Sequence, residues 1–579
     1  MSAPRVVLRS SPRPRPEGGA IARGLSRLLE ERCRRRPRFS GCWTTPVPSR
    51  SSDLETYEVG GSTVRICLQD GGLNVLYHVA PWEYGLQEPW VRLIGDVIDK
   101  VADHPPEDLD VPYGELREHV LRTAGRLLRA RAESEGVVLG KGIEEREKTV
   151  ERMAKVVARY TVGLGLLEVL LSDDRIEDIY IDAPSDTNPV HVTLSGVAEV
   201  SSMCRCSTNL TISGDELDGM VSRLRQYTMR PFSEAHPIME TDLPGYDTRA
   251  TVIGPPLSPS GTAVALRRHS RNPWTLLKLV HTGCMDSCTA GLLSFLIDGR
   301  TTMLICGARG AGKSSLLSAI MFEFPVAQRI LVIEDTLELP VQRMQDLGYK
   351  VQSLFVDRGM EGSTEGTTDE ALRVSLRLGE SAIVLGEVRG REAQTLYQSM
   401  RTGRAGSSVL GTIHGESAHS VYERVVHDMG IPREAFMATD LVVSMGLHRP
   451  GGSSRPVRRL VEMAETSRSR GPGEFNQLIG PGSVTDEALR TSETVARIAA
   501  NWGITAEAAA ANIDARARMR DLLVKAADLG HRQCLEPEWV WRCNEFLWRR
   551  TDAGDHDYDG MVEEFREFVG RRVGSNDLP

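Results

Sequence analysis

The sequence predicts an α/β protein built around a parallel sheet with helices on both faces, and two observations carry that reading. From about Pro273 to Glu465, short apolar runs alternate with helical patterns in the strand–helix–strand order that a parallel sheet requires. Three of those runs also end in polar residues: Leu331-Val332-Ile333 in Glu334-Asp335, Ala382 to Leu385 in Gly386-Glu387, and Ser408 to Ile413 in His414. In an open α/β sheet, ligands collect at the carboxyl ends of the strands, so these groups converge on one edge.

The remaining segments flank that core. The first 52 residues are rich in Arg and Pro (Arg13, Arg15, Arg32, Arg34, Arg35, Arg36, Arg38) and read as a flexible basic arm with weak attraction to anionic lipid. Residues 53–165 read as a small α/β unit: strands at Thr63–Ile66 and Leu73–Val79, helices at Val91–Val101 and Tyr113–Ala132, and a connecting helix over Glu144–Arg159. Residues 166–272 switch to short strands and turns. Val169-Leu170-Leu171 leads to Ile176–Ile179, a helix spans Gly214–Tyr227, and strands recur at Arg249–Val252 and Ala263–Leu266, giving an α+β domain. Residues 466–579 read as a helical extension in which Trp539, Trp541 and Trp548 are core anchors.

Bulk properties narrow the function. A chain of 579 residues holds several cores, and 40% hydrophobic with 26% charged residues is ordinary for a globular protein. A net charge of −9 argues against a global nucleic-acid field, and no apolar stretch is long enough to span a bilayer. The first residues lack the apolar core of a secretory signal, so an intracellular location is expected. The ten cysteines form no Cys-x-x-Cys and are read as reduced thiols, with a metal between Cys33 and Cys42 the weaker alternative.

The chemistry centres on Gly307-Ala308-Arg309-Gly310-Ala311-Gly312-Lys313-Ser314, which follows the apolar run Met303–Cys306 and opens a helix at Lys313, Ser314 and Ser315. Glycines let successive N–H groups face phosphate oxygens, and the helix N-terminus adds partial positive charge. Lys313 is placed on the β- and γ-phosphates of ATP, and the Ser314 hydroxyl on Mg²⁺. Glu334, Asp335 and Glu338 put three carboxylates within five residues at a strand end, as nucleotide hydrolysis needs to orient water and metal. Ala382–Arg389 has the form of a Walker-B strand, with Glu387 acting through Mg²⁺ or its bound water and Arg389 pairing with Glu387 or with phosphate. Thr412 and His414 are candidate γ-phosphate sensors. His414 and His419 do not fit a His-Glu-x-x-His zinc motif.

Phosphate loop, aspartate box, Walker B and histidine box, in this order and spacing, resemble the type II/IV secretion ATPase superfamily over roughly Ile176 to Met463. Further carriers are Ile176-Glu-Asp-Ile179, Leu243-Pro-Gly245, Ser375–Glu380, Gly386–Ala393, Met400–Gly403 and Thr412–Ser417. The likeness is to the archaeal-type branch that drives type IV pilus-like filaments and the archaellum. It implies a RecA-like P-loop NTPase domain at 273–465 behind a PAS-like sensor domain at 166–272. It also implies a homo-hexamer at the inner face of the cell membrane, a polytopic membrane platform protein as partner, and pilin-like machinery or protein secretion downstream. Arg267 in Ala265-Leu266-Arg267-Arg268 matches the family's N-domain arginine that reaches phosphate, and Arg249 lies where a second is expected. Ordinary surface pairing is the other reading of Arg249, and Arg268 replaces Arg267 if the register shifts by one. Arg309 departs from the family's small residue, and Gly379-Glu380 replaces the bacterial Pro-Asp. The tetracysteine insert is absent, so no structural zinc is expected there. The rivals are a RecA-like nucleic-acid translocase, opposed by the charge and by the lack of a basic, aromatic-interleaved stretch, and a catalytically weak ATP-binding ring scaffold.

Overall fold

The computed structural model describes residues 34–574 except 70–73, 107–110, 196, 198–204, 244, 269–272, 357–363, 376, 378, 380, 391, 402–407, 453–455 and 480–482. The chain divides into two compact units, 1–268 and 269–579.

In the first unit the strands are β1 (Cys42–Thr44), β2 (Ser51–Val59), β3 (Ser62–Gln69), β4 (Asn74–Ala80), β5 (Ile176–Ile181), β6 (His191–Leu194), β7 (Arg205–Thr208), β8 (Leu210–Ile212), β9 (Ile238–Asp242), β10 (Thr248–Ile253) and β11 (Ala263–Arg268). Nine of them form one sheet in the order β2-β3-β4-β7-β6-β5-β11-β10-β9, and β1 pairs with β8. The sheet runs through the division expected near residue 165. The meander β2-β3-β4 joins the rest where β4 runs parallel to β7, through Leu76↔Ser207 and Tyr77↔Thr208. Val64, Ile66, Tyr77, Ile179, Val192, Leu217 and Met220 share one core. The helices Glu88–Val101, Tyr113–Glu135 and Ile143–Thr161 make a second core around Leu93, Leu128, Met153 and Val157.

Two local expectations change here. Residues 34–52 were expected to belong to a flexible arm, yet β1 pairs with β8 and Cys42 is fully buried. The Arg36 guanidinium lies 4.2 Å over the Trp43 ring, so part of the basic run is used in packing. Arg13, Arg15, Arg32 and Cys33 lie outside the described residues. Val169-Leu170-Leu171 belongs to a short helix, Leu167–Leu171, whose residues are all buried. A brief, wholly apolar run has no periodicity to separate strand from helix.

The second unit carries β12 (Met303–Gly307), β13 (Arg329–Glu334), β14 (Lys350–Phe355), β15 (Ala382–Leu385), β16 (Val409–Ile413), β17 (Leu441–His448), β18 (Val457–Thr466) and β19 (Phe475–Ile479). Their order is β14-β13-β15-β16-β12-β17-β18-β19, parallel through β17 and antiparallel for the last two strands. Both faces are buried along β12, β13, β15, β16 and the first part of β17, which is why those strands read as continuous apolar runs. Alternate residues serve opposite cores. Ile305, Val332 and Val384 face the cluster that contains the helices Leu276–His281, Ser287–Asp298 and Lys313–Met321. Cys306, Ile333 and Ile383 face the cluster that contains Glu392–Arg401 and Ala418–Glu423.

The helices Glu493–Trp502, Ala506–Asp528, Pro537–Asp552 and Tyr558–Val573 share the first of those cores. Trp539 is buried there, and Trp541 packs against it. The contact with Ser287–Asp298 is close: a Cβ at Gly291 would lie 2.7 Å from the Ala517 backbone nitrogen. The extension is therefore continuous with the parallel-sheet core and covers an apolar helix that would otherwise face water.

Candidate nucleotide site

Every residue of β12 is buried, and the chain turns at its end through Gly307, Gly310 and Gly312, whose φ values are 153°, 79° and 96°. A side chain at Gly307 would place its Cβ 2.4 Å from the Met445 carbonyl oxygen, so glycine is required there. The helix Lys313–Met321 then begins with no side-chain cap, leaving its first N–H groups for an anion. Lys313 Nζ donates to the carbonyls of Gly307 (2.9 Å) and Ala308 (3.2 Å). Burial holds its amine below the usual lysine value, against the opposing pull of Glu387. Ala311 is buried, Ser314 and Ser315 are half-buried, and Ala308 and Arg309 are exposed.

Strands β13, β15 and β16 run parallel to β12 and end at the same edge of the sheet, so the predicted acids and imidazole come together there. Glu387 follows β15. Burial disfavours its charge, but Arg389, His414 and Lys313 outweigh that and hold the carboxyl below its ordinary value. Arg389 pairs with Glu387 through its guanidinium and approaches Asp335 at 4.0 Å. His414 Nε2 stands 3.1 Å from Glu387 Oε1, a close approach without hydrogen-bond alignment, since that oxygen has no aligned partner. Burial lowers the His414 imidazole despite the nearby Glu387. Thr412, expected as a phosphate sensor, is instead buried, and its hydroxyl donates to the Gly386 carbonyl at 2.5 Å. It fastens the Walker-B turn to the neighbouring strand.

Glu334 has a different setting from the role its position suggested. It is 3% exposed, and its Oε1 accepts the N–H groups of Glu338 and Leu339 at 2.9 Å each. It thus pins the turn that carries Asp335 and Glu338. Its Oε2 has no hydrogen-bond partner, and burial pushes the carboxyl up to about 7 against the two backbone bonds. A folded value above the unfolded one means that this group's contribution to stability is complete below the unfolded pKa, near 4.5, and is lost as pH rises through about 7. The difference is worth about 3 kcal/mol. In Glu334→Gln, which keeps an oxygen for both N–H groups, the fall in melting temperature from pH 5 to pH 8 should be smaller than in the parent chain. Equal falls in the two proteins would remove Glu334 as the source.

In the first unit, Arg249 and Arg267 are cross-strand partners on β10 and β11, and Arg249 pairs with Glu240 at 2.8 Å. The Arg268 guanidinium is committed to the carbonyls of Leu171 and Asp173. Two residues of β18 escaped the sequence reading. Arg458 Nε donates to the Gly310 carbonyl of the loop at 3.0 Å, and Glu462 accepts from Ser444, Ala418 and Gln477. Neither lies in a motif, and Val457–Glu462 alternates like a solvated edge strand.

A family model described as "Type II/IV secretion system protein" matches residues 220–477, which contain the whole loop, acid and histidine constellation. Over those residues the chain is similar to the type II/IV secretion system family. An uncharacterised protein of Methanocaldococcus jannaschii is 29% identical over 263 residues, covering 45% of this chain and 35% of that protein. Protein VirB11 of Agrobacterium fabrum is 27% identical over 275 residues, covering 42% of this chain and 74% of VirB11. The chain therefore spans about a third of the length of the archaeal relative and most of VirB11. Among solved structures, the VirB11 ATPase of Brucella suis in complex with sulphate is 20% identical, covers 52% of this chain and 95% of its own, and superposes with a TM-score of 0.26. The secretion-type match begins inside the first unit and ends within β19, so residues 1–219 and 478–579 lie outside it. Among the described residues, no helix is long and apolar enough to cross a membrane, and no cluster of three or more His, Cys, Asp or Glu could hold a metal.

Proposed function

We propose that this chain hydrolyses MgATP as the motor subunit of a secretion or type IV pilus-like machine. The observation that carries the reading is the meeting, at one edge of the parallel sheet, of an uncapped helix start bearing Lys313 with Glu387, Arg389 and His414. Gly307 to Ser315 cradle the phosphates. Ser314 and Glu387 supply the hard oxygen donors that Mg²⁺ takes, and they fit that ion because Glu387 Oε1 has no aligned hydrogen bond. Bound there, the metal would neutralise phosphate charge. Phosphoryl transfer otherwise needs positioning and charge compensation. Lys313 and Arg389 bring positive charge, while Glu387, held ionised, is the acceptor that orients water. Asp335 and Glu338 stand beside it on the turn that Glu334 pins.

Similarity to the type II/IV secretion system family over residues 220–477 supports the rest of the reading. The motor works as a homo-hexamer, peripheral to the membrane, and acts on a polytopic platform protein that drives a pilus-like or archaellum-like filament or a secreted protein. Arg249 and Arg267 are assigned to the nucleotide machinery on the resemblance alone. The test is ATP turnover by the purified chain with Mg²⁺, beside Glu387→Gln. The variant should bind ATP with near-parental affinity and turn over about 100-fold more slowly, a loss of roughly 3 kcal/mol of barrier stabilisation. Loss of binding would make Glu387 a structural residue, and an inactive parent would leave an ATP-binding scaffold.

A further inference from the structure

We infer that Glu462, on the antiparallel strand β18, is a positioning residue that sets where His414 stands relative to the phosphate loop. The inference rests on the ATPase reading and goes beyond it, because β18 carries none of the four nucleotide motifs.

Glu462 uses both carboxylate oxygens on different elements. Its Oε2 accepts the Ala418 backbone N–H at 2.8 Å and the Ser444 hydroxyl at 2.7 Å, and its Oε1 accepts the Gln477 amide at 2.7 Å. Ala418 is the first residue of the helix that follows the His414 turn, and Ser417 caps that helix in a reciprocal capping box with Ser420. An anion at a helix start is favoured by the first N–H groups and the helix dipole. Ser444 lies on β17, next to β12, and its Oγ is 3.1 Å from the sulfur of Cys306, the residue before Gly307.

One carboxylate therefore fastens the exit of the histidine turn to β17, whose Ser444 in turn meets the strand that enters the phosphate loop. The turn is closely seated there: a Cβ at Gly415 would lie 3.6 Å from the Cys306 Cβ and 2.8 Å from Val421. Three residues separate His414 from Ala418, so a shift of the helix start moves the imidazole against Glu387. The same strand steadies the loop itself through the Arg458 bond to the Gly310 carbonyl. Glu462 acts through the placement of His414.

The variants are Glu462→Ala, which deletes the anchor, and Glu462→Gln, whose amide oxygen can still accept from Ala418 and Ser444 while the Gln477 amide turns to meet its NH₂. Misplacing a catalytic group by about 1 Å costs up to about 100-fold in rate, and a partial shift should cost on the order of tenfold. Glu462→Ala is thus expected to lower kcat about tenfold, with KM for ATP and the affinity for a fluorescent ATP analogue within about twofold of the parent. Glu462→Gln should recover most of kcat. If Glu462→Ala does not fold, Glu462→Asp, which withdraws the carboxylate by one methylene, should show the same fall in kcat with unchanged affinity. Parental kcat in the variants overturns the inference. So does a parallel loss of affinity, rate and melting temperature that Gln does not rescue, which marks a structural residue. A parent chain that binds ATP without hydrolysing it overturns the ATPase reading and this inference with it, whereas an active parent with unaffected variants overturns only the role of Glu462.

Discussion

Lys313→Ala is expected to abolish ATP turnover, with kcat/KM falling by about 1000-fold or more. In the structure the Lys313 ammonium leans on two loop carbonyls, those of Gly307 and Ala308, in a half-buried setting that already disfavours its charge. A triphosphate in the loop replaces those neutral partners with full anions, so the ammonium gains most where charge on the γ-phosphate grows. Alanine removes that charge and leaves the two carbonyls facing an anion. The backbone should be unaffected, because Gly307 and Gly312 set the turn and Leu316 and Leu317 seat the helix in the core. The check is a coupled assay of phosphate release, with circular dichroism showing an intact fold. Turnover within tenfold of the parent would remove the loop as the catalytic site.

How far such residues can be read without coordinates depends on how local their physics is. The phosphate loop, the acids that end β13 and β15, and the imidazole after β16 were legible because each sits directly after a short apolar run, and parallel pairing brings those run ends to one edge. The helices Glu88–Val101, Tyr113–Glu135 and Gly214–Thr228 were legible from period alone. What was not legible is non-local. Thr412 looked like a sensor because its hydroxyl is next to His414, and only the pairing of neighbouring strands turns it onto Gly386. Glu334 looked like a catalyst, but the bend of its own loop brings two N–H groups back onto it. Arg458 sits 148 residues from Gly310 and Glu462 sits 44 residues from Ala418, on a strand that returns antiparallel, and nothing near them in sequence names those contacts. Likewise Arg516 and Arg520 look like solvent-facing arginines of an Ala-rich helix, yet both are buried.

Those two arginines carry the second large effect. Arg520→Leu should destabilise the second unit by about 3–5 kcal/mol. Its guanidinium donates to Ser294 Oγ (2.6 Å), Asn544 Oδ1 (2.7 Å) and the Arg516 carbonyl (3.1 Å), and it pairs with Glu323, which is fully buried. Glu323 also accepts from Asn544 Nδ2 at 2.8 Å. Arg516 donates to Ser294 and Asn512 and pairs with Asp298, which in turn accepts the Trp548 indole N–H at 2.9 Å. Removing one arginine strands a carboxylate where water does not reach, and that penalty exceeds the worth of the pair itself. Replacing both partners, as Arg520→Leu with Glu323→Leu, should recover much of the loss because no charge is then left unpaired. Glu323 lies two residues past the helix that begins at Lys313, so the closing helices brace the far end of that helix. The measurement is thermal unfolding of parent, single and double variants, with the single variant melting on the order of 10 °C lower. A double variant as unstable as the single one would show that shape, not charge, holds the extension in place.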